Sequence, residues 1–265
     1  MLTSKLIDTS KCIGCRACQV ACKQWNGLPA EDTTFAGYYE NPVRFTANSW
    51  TRVVFREHKD EATGEMDWYF AKKGCMHCTD AACEKVCPAG AISHTDAGAV
   101  VTDPRKCIGC NYCVASCTFK VMAFNQKENV SQKCTLCSDR QAIGLIPACA
   151  KACPTGAITF GTRAEIVELA HRRVGQLAAK GYTNAQIYGL EELGGTAVMY
   201  VLKDEPAKYG LPNNPKIPVS AYIWNAIFRP LRIFVVALVG LLLWENKRQN
   251  EKITSQENEV KIKEG

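Results

Sequence analysis

Two short stretches of the chain have the apolar make-up of strands. "SWTRVVFREH" (49–58) and "MDWYFAKK" (66–73) are rich in β-branched and aromatic residues and flank the polar, Gly-containing "KDEATGE". That pattern predicts a β-hairpin, with a role as a shaping or docking surface. A helical period follows further on. Thr162 and Glu165 have the spacing of a capping box. Ile166, Leu169, Ala170, Val174, Leu177 and Ala178 then recur at helical intervals until Gly181. "GGTAVMYVL" (194–202) reads as a strand. The region 162–216 is therefore expected to cap whatever precedes it.

The C-terminal pattern is different. "IPVSAYIWNAIFRPLRIFVVALVGLLLW" (217–244) ends in an unbroken apolar run from Ile233 to Trp244. Alone the run is short for a span, which needs about 20 residues. Extended back to Val219 it would reach about 39 Å as a helix. Trp224 and Trp244 would then sit at the two interfaces, and Arg229 and Arg232 would snorkel or meet a partner. A buried amphipathic helix is the alternative. The expectation is one transmembrane anchor over 217–245, followed by a charged, aperiodic, mobile tail over 246–265.

Composition adds the chemistry. Of the 265 residues 16 are cysteines, all between Cys12 and Cys153. They form four groups: Cys12, Cys15, Cys18, Cys22; Cys75, Cys78, Cys83, Cys87; Cys107, Cys110, Cys113, Cys117; and Cys134, Cys137, Cys149, Cys153. "KCIGCRACQVAC" is echoed by "KCIGCNYCVASC", and "CPAGAI" by "CPTGAI", so the region is built from a duplicated unit. Cysteines two and three residues apart meet poorly as disulfide partners but converge well on metal. Zinc could also use every cysteine. Zinc ribbons, however, pair two C-x2-C knuckles and lack both the third cysteine and the C-P end seen at Pro88 and Pro154.

In two-cluster ferredoxins the fourth cysteine of each group serves the other cluster. Between Cys87 and Cys107 lies "AISHTDAGAVVTDP", a strand, turn and strand of the length found in a compact ferredoxin. By that analogy groups two and three make one unit, and groups one and four wrap around it. The alternative, pairing one with two and three with four, would place the insertion 24–74 inside a unit. The nested scheme predicts four [4Fe-4S] clusters. Their ligands are Cys12, Cys15, Cys18 and Cys153; Cys134, Cys137, Cys149 and Cys22; Cys75, Cys78, Cys83 and Cys117; and Cys107, Cys110, Cys113 and Cys87. The fold class is α+β, with two nested ferredoxin-like units in a core over 1–161, the hairpin insertion, the cap and the anchor.

Other features are weaker. His77, inside "CMHC", is a proton-coupled or potential-tuning group, or else an imidazole at the surface or just behind the ligands. Lys11, Lys106 and Lys133 each precede the first cysteine of a group and could offset cluster charge. The formal net charge is +6, but four clusters at about −2 each would bring the loaded chain near −2. No concentrated basic stripe points to nucleic acid, and no nucleophile–base pair or phosphate loop points to catalysis. "MLTSKLIDTS" has neither a secretory pattern nor twin arginines.

"LIDTSKCIGCRACQVACKQWN", "GCMHC", "KCTLCSDR", "PACAKACPTGAITFGT" and "GYTNAQIYGLEELGGTAVMYVL", with the apolar C-terminal stretch, resemble the iron–sulfur (beta) subunits of membrane-bound respiratory formate dehydrogenases. The four-group pattern alone is shared with subunits of reductases of sulfur, nitrogen and arsenic compounds. A soluble multi-cluster ferredoxin is a further alternative. The resemblance implies a non-catalytic electron-transfer subunit. Its partners would be a catalytic (alpha) subunit carrying a Mo or W bis-pterin and a membrane cytochrome b (gamma) subunit that reduces quinone. It also implies a single-pass membrane location. The cluster domain would lie on the periplasmic side, exported with the catalytic subunit. The unit of groups one and four would face the catalytic subunit, and that of groups two and three the haem. Thr118 stands after Cys117 where relatives often carry Pro, so a local backbone change is expected there.

Overall fold

The computed structural model describes residues 1–35, 37–59, 61 and 64–263, without the side chains of 225, 228–230, 232–233 and 252–263. Two units divide the chain, 1–218 and 219–265.

The strands of the first unit are β1 (Thr3–Asp8), β2 (Arg52–Lys59), β3 (Met66–Lys73), β4 (Ile92–His94), β5 (Val100–Thr102), β6 (Ala123–Asn125), β7 (Val130–Gln132), β8 (Ile158–Thr162), β9 (Gln186–Tyr188) and β10 (Val198–Leu202). Its helices are α1 (Ala17–Trp25), α2 (Ala82–Lys85), α3 (Tyr112–Ser116), α4 (Ser138–Ala142), α5 (Ala148–Lys151) and α6 (Arg163–Ala178). A mixed sheet runs in the order β8-β1-β10-β9. β1 pairs antiparallel with β8, Lys5 opposite Phe160, and parallel with β10, Lys5 opposite Val198.

The two-residue period of a strand divides this sheet cleanly. Leu6, Met199 and Val201 point to α6, where Ile166, Ala170 and Leu177 meet them. Ile7, Val198, Tyr200 and Leu202 point the other way, into a core that also holds Cys18 and Cys149. Lys5 shares the face of Ile7. On the opposite face Asp8 accepts from Arg173 of α6 at 2.7 Å. The capping box forms as its spacing predicts: the Thr162 side chain accepts from the Glu165 N–H, and Glu165 accepts from the Thr162 N–H.

Groups two and three are bridged by the hairpin β4–β5, and β6–β7 joins group three to group four. β1, before group one, and β8, after group four, are hydrogen-bonded neighbours. The ends of the cysteine region thus lie side by side while groups two and three fall between them in sequence.

β2 and β3 pair antiparallel from Arg52–Lys73 to Lys59–Met66. Part of the turn predicted between them lies outside the described residues. Phe55 and Phe70 stack edge-on at 5.2 Å across this hairpin. Two ring carbons of Phe55 would lie 2.9 and 3.2 Å from a Cβ placed on Gly14, so the hairpin seats directly on the first cysteine loop.

The second unit is helical: α7 (Val219–Ile223), a π-helical turn (Trp224–Phe228) and α8 (Arg229–Lys263). The charged stretch that follows the apolar run continues α8 as far as Lys263. Residues 246–263 are rich in the helix formers Glu, Lys, Arg and Gln and hold neither Gly nor Pro, and Lys247 and Glu251 lie 4.0 Å apart at the helical i,i+4 spacing. Among the described residues no helix is long and apolar enough to cross a membrane. The arginines expected to snorkel, Arg229 and Arg232, have side chains outside the described residues.

Candidate metal centres

All sixteen cysteines are free thiols. The short loops that carry them turn through left-handed backbone. Gly14 and Arg16 have φ of 69° and 63°, and their echoes Gly109 and Asn111 have 71° and 61°. In the other two groups His77 (51°), Leu136 (56°) and Cys137 (53°) take this role. Such turns aim successive N–H groups inward, as in an anion-binding nest. The His77 N–H donates to Cys75 Sγ at 3.4 Å, Leu136 N–H to Cys134 Sγ at 3.4 Å, and Ala91 N–H to Cys87 Sγ at 3.2 Å.

Cys12, Cys15, Cys18 and Cys153 line one cavity, together with Ile7, Val53 and Lys72. Cys75, Cys78, Cys83 and Cys117 line another, with Lys133. Cys22 and Cys137 each lie among Cys134 and Cys149. Cys113 lies near Cys110, Cys107 and Cys87. Electrostatic influence between thiols of different sets puts the sets in a row. Cys18 neighbours Cys149, Cys75 neighbours Cys134, and Cys83 neighbours Cys113. Cys15 and Cys110, in the outermost sets, are exposed, whereas Cys22, Cys134, Cys137 and Cys149 are all buried.

Burial pushes eight of these thiols up. Cys22 rises to about 11, and Cys18, Cys83 and Cys137 to about 12, with neighbouring thiols adding to the rise. A cationic core is what would let them ionise, since metal ligands bind as thiolates. Cys134 is the exception. Burial raises it too, but Lys5 and Lys72, the Leu136 N–H and Lys133 together bring it below the ordinary thiol value. Among the described residues no three His, Cys, Asp or Glu gather closely enough for a single metal ion. Sulfurs set around a cavity, with inward N–H donors and buried cations, fit an anionic cluster of several atoms better than one zinc ion.

His77 is buried behind the ligands, not at the surface. Its Nδ1 accepts from the Val100 N–H at 2.9 Å, so the proton sits on Nε2. Burial, then Lys133, Lys5 and Lys72, hold its pKa well below the ordinary imidazole value. The three lysines that precede cysteine groups differ: Lys11 and Lys106 are exposed, and Lys133 is buried. Lys5 and Lys72, which the sequence reading passed over, are 0 % and 2 % exposed. Thr118 Oγ1 donates to the Lys216 carbonyl at 2.9 Å, a tie that proline could not make.

Two stretches, 66–163 and 11–91, match families described as 4Fe-4S dicluster domains. The chain is 48 % identical over 245 residues to the iron–sulfur subunit of the nitrate-inducible formate dehydrogenase of Escherichia coli, covering 90 % of this chain and 83 % of that one. It is 45 % identical over 247 residues to the formate dehydrogenase iron–sulfur subunit of Haemophilus influenzae, covering 91 % and 78 %. It is 32 % identical over 212 residues to the formate dehydrogenase 2 subunit beta (cytochrome c-553) of Nitratidesulfovibrio vulgaris, covering 77 % and 94 %. The site is thus carried by two ferredoxin-like dicluster domains in a mixed α and β fold.

Proposed function

Since the chain belongs to the family of formate dehydrogenase iron–sulfur subunits, we propose that it holds four [4Fe-4S] clusters and conducts electrons from a Mo- or W-pterin catalytic subunit to a membrane cytochrome b. The catalytic partner converts formate to carbon dioxide, a proton and two electrons. Those electrons cross this subunit singly and, with two protons, reduce a quinone to a quinol. When bound, the clusters supply the one-electron redox chemistry. The chain's own residues hold them, exclude water and set their surroundings.

The ligand sets we propose are the nested ones: Cys12, Cys15, Cys18, Cys153; Cys22, Cys134, Cys137, Cys149; Cys75, Cys78, Cys83, Cys117; and Cys87, Cys107, Cys110, Cys113. The observation that carries this reading is the row itself, with its successive electrostatic influences of Cys149 on Cys18, Cys134 on Cys75 and Cys113 on Cys83. Its exposed ends, Cys15 and Cys110, suit electron entry from the catalytic subunit and exit toward the haem.

The second unit is the proposed single-pass anchor. Phe234, Val235, Val236, Leu238, Val239, Leu241, Leu242, Leu243 and Trp244 are all exposed, an apolar surface on every side of a helix that lipid would cover. The cluster unit would lie on the periplasmic side, exported with its partner.

Deleting residues 219–265 from the assembled complex tests the wire and the anchor together. Formate-dependent dye reduction should persist while formate-dependent quinone reduction is lost. Retention of both activities would overturn the anchored conduit. Cys22→Ser tests the ligand scheme: it should damage the cluster of Cys134, Cys137 and Cys149, and damage confined to that of Cys12, Cys15 and Cys18 would refute the nesting.

A further inference from the structure

Three lysines are buried in the row of cysteine sets, two on strands and one in the loop after β7. Lys5, on β1, is 0 % exposed and its Nζ lies 3.9 Å from Cys149 Sγ. Lys72, on β3 of the inserted hairpin, is 2 % exposed and lines the cavity of Cys12, Cys15, Cys18 and Cys153. Its ammonium also faces Cys149, Cys134 and Cys22. Lys133, 3 % exposed, lines the cavity of Cys75, Cys78, Cys83 and Cys117. It donates to the carbonyls of Val100 and Cys134.

A buried ammonium is rare unless anionic partners surround it. Lysine is also costly on an inward strand face that could hold an apolar residue, as its neighbour Ile7 does. All three charges face Cys134. One of them reaches the set on one side of it, and another the set on the other side. For Cys113, at the far end, burial comes first, then a hydrogen bond with Ser131 and its own thiol neighbours Cys110, Cys107 and Cys87.

We propose that Lys5, Lys72 and Lys133 are potential-tuning residues, fixed positive charges that raise the reduction potential of the cluster held by Cys22, Cys134, Cys137 and Cys149. A cluster gains negative charge on reduction, so a nearby fixed cation in a low-dielectric interior favours the reduced state. Lys72 acts also on the cluster of Cys12, Cys15, Cys18 and Cys153, and Lys133 on that of Cys75, Cys78, Cys83 and Cys117. The cluster of Cys87, Cys107, Cys110 and Cys113 lies beyond their reach. This rests on the ligand scheme proposed above.

The test is a redox titration, followed by electron paramagnetic resonance, of the complete iron-loaded complex carrying Lys5→Met, Lys72→Met or Lys133→Met. Cys22→Ser and Cys137→Ser identify the signal of the shared cluster. If those two alter different signals the ligand scheme fails, whatever the lysines do. With the signal assigned, each Met variant should shift its midpoint to lower potential. Lys72→Met should also lower that of the Cys12 set, and Lys133→Met that of the Cys75 set. The exposed controls Lys11→Met and Lys106→Met should move neither. An unchanged midpoint in a fully loaded variant, or an equal shift in the Cys107 set, overturns the proposal. If a Met variant loses iron, the Gln and Arg variants decide. Iron kept only with Arg supports a required charge, and equal loss in all three overturns it.

Discussion

At the scale of single residues, the duplicated loops offer an internal comparison. Gly14 and Gly109 occupy equivalent places with φ of 69° and 71°. Alanine at either would pay roughly 1–2 kcal/mol for left-handed backbone. Their surroundings differ. A Cβ at Gly14 would lie 2.9 Å from the Phe55 ring, which Phe70 backs, while at Gly109 it would meet the end of the exposed Asn129 side chain. Gly14→Ala should therefore lower the thermal midpoint more than Gly109→Ala. Equal losses would mean that backbone strain alone matters and that the hairpin does not press on the loop. The glycines were readable in "KCIGC" because a repeated motif exposes a repeated need. Lys5 and Lys72 were not. A lysine in a short strand reads as surface, and only the long-range placement of β1 and β3 puts its ammonium among thiols.

At the scale of elements, local signals are legible in the sequence and the distant pairings of strands are not. The hairpin β2–β3, the hairpin β4–β5, strand β10 and the start of α6 all carry their cues within a few residues. β1 lacks such a cue, because six residues of "TSKLID" become a central strand only through β8 and β10, far along the chain. The charged tail continues α8 to Lys263 because a stretch without an apolar stripe can still be helical on propensity alone. The start of α6 gives a measurable case. Thr162→Ala removes the cap and should cost about 1 kcal/mol, read as a lower denaturation midpoint. Hydrogen bonds from the Thr162 hydroxyl and N–H hold the Glu165 carboxyl below its ordinary value. A depressed carboxylate stabilises the fold above its unfolded pKa and loses that contribution as pH falls through the folded one. The difference between wild type and Thr162→Ala should therefore narrow in acid. A difference that stays constant as the solution is acidified would remove Glu165 from the account.

At the scale of the molecule, the first unit combines two kinds of stability. Around α6, apolar side chains from both sides close on one another: Leu6, Met199 and Val201 against Ile166, Ala170 and Leu177. Around the cysteines, the buried groups include three ammoniums and a set of thiols, which cohere only if an anionic body binds them together. Loss of the clusters would leave the ammoniums buried without counter-charge, a situation that costs several kcal/mol per ion. The metal's binding energy is then part of the folding energy of that region. Anaerobic removal of iron should accordingly split the unit's behaviour. Amide exchange should accelerate sharply over 105–135, which holds β6, β7 and the third cysteine loop. Over 163–178 the protection of α6 should fall far less, because β1 and β10 give it an apolar partner that needs no metal. Uniform loss would mean that sheet and cluster region fold as one cooperative body. Unchanged protection throughout would mean that the protein shell, not the metal, holds the cysteines in place.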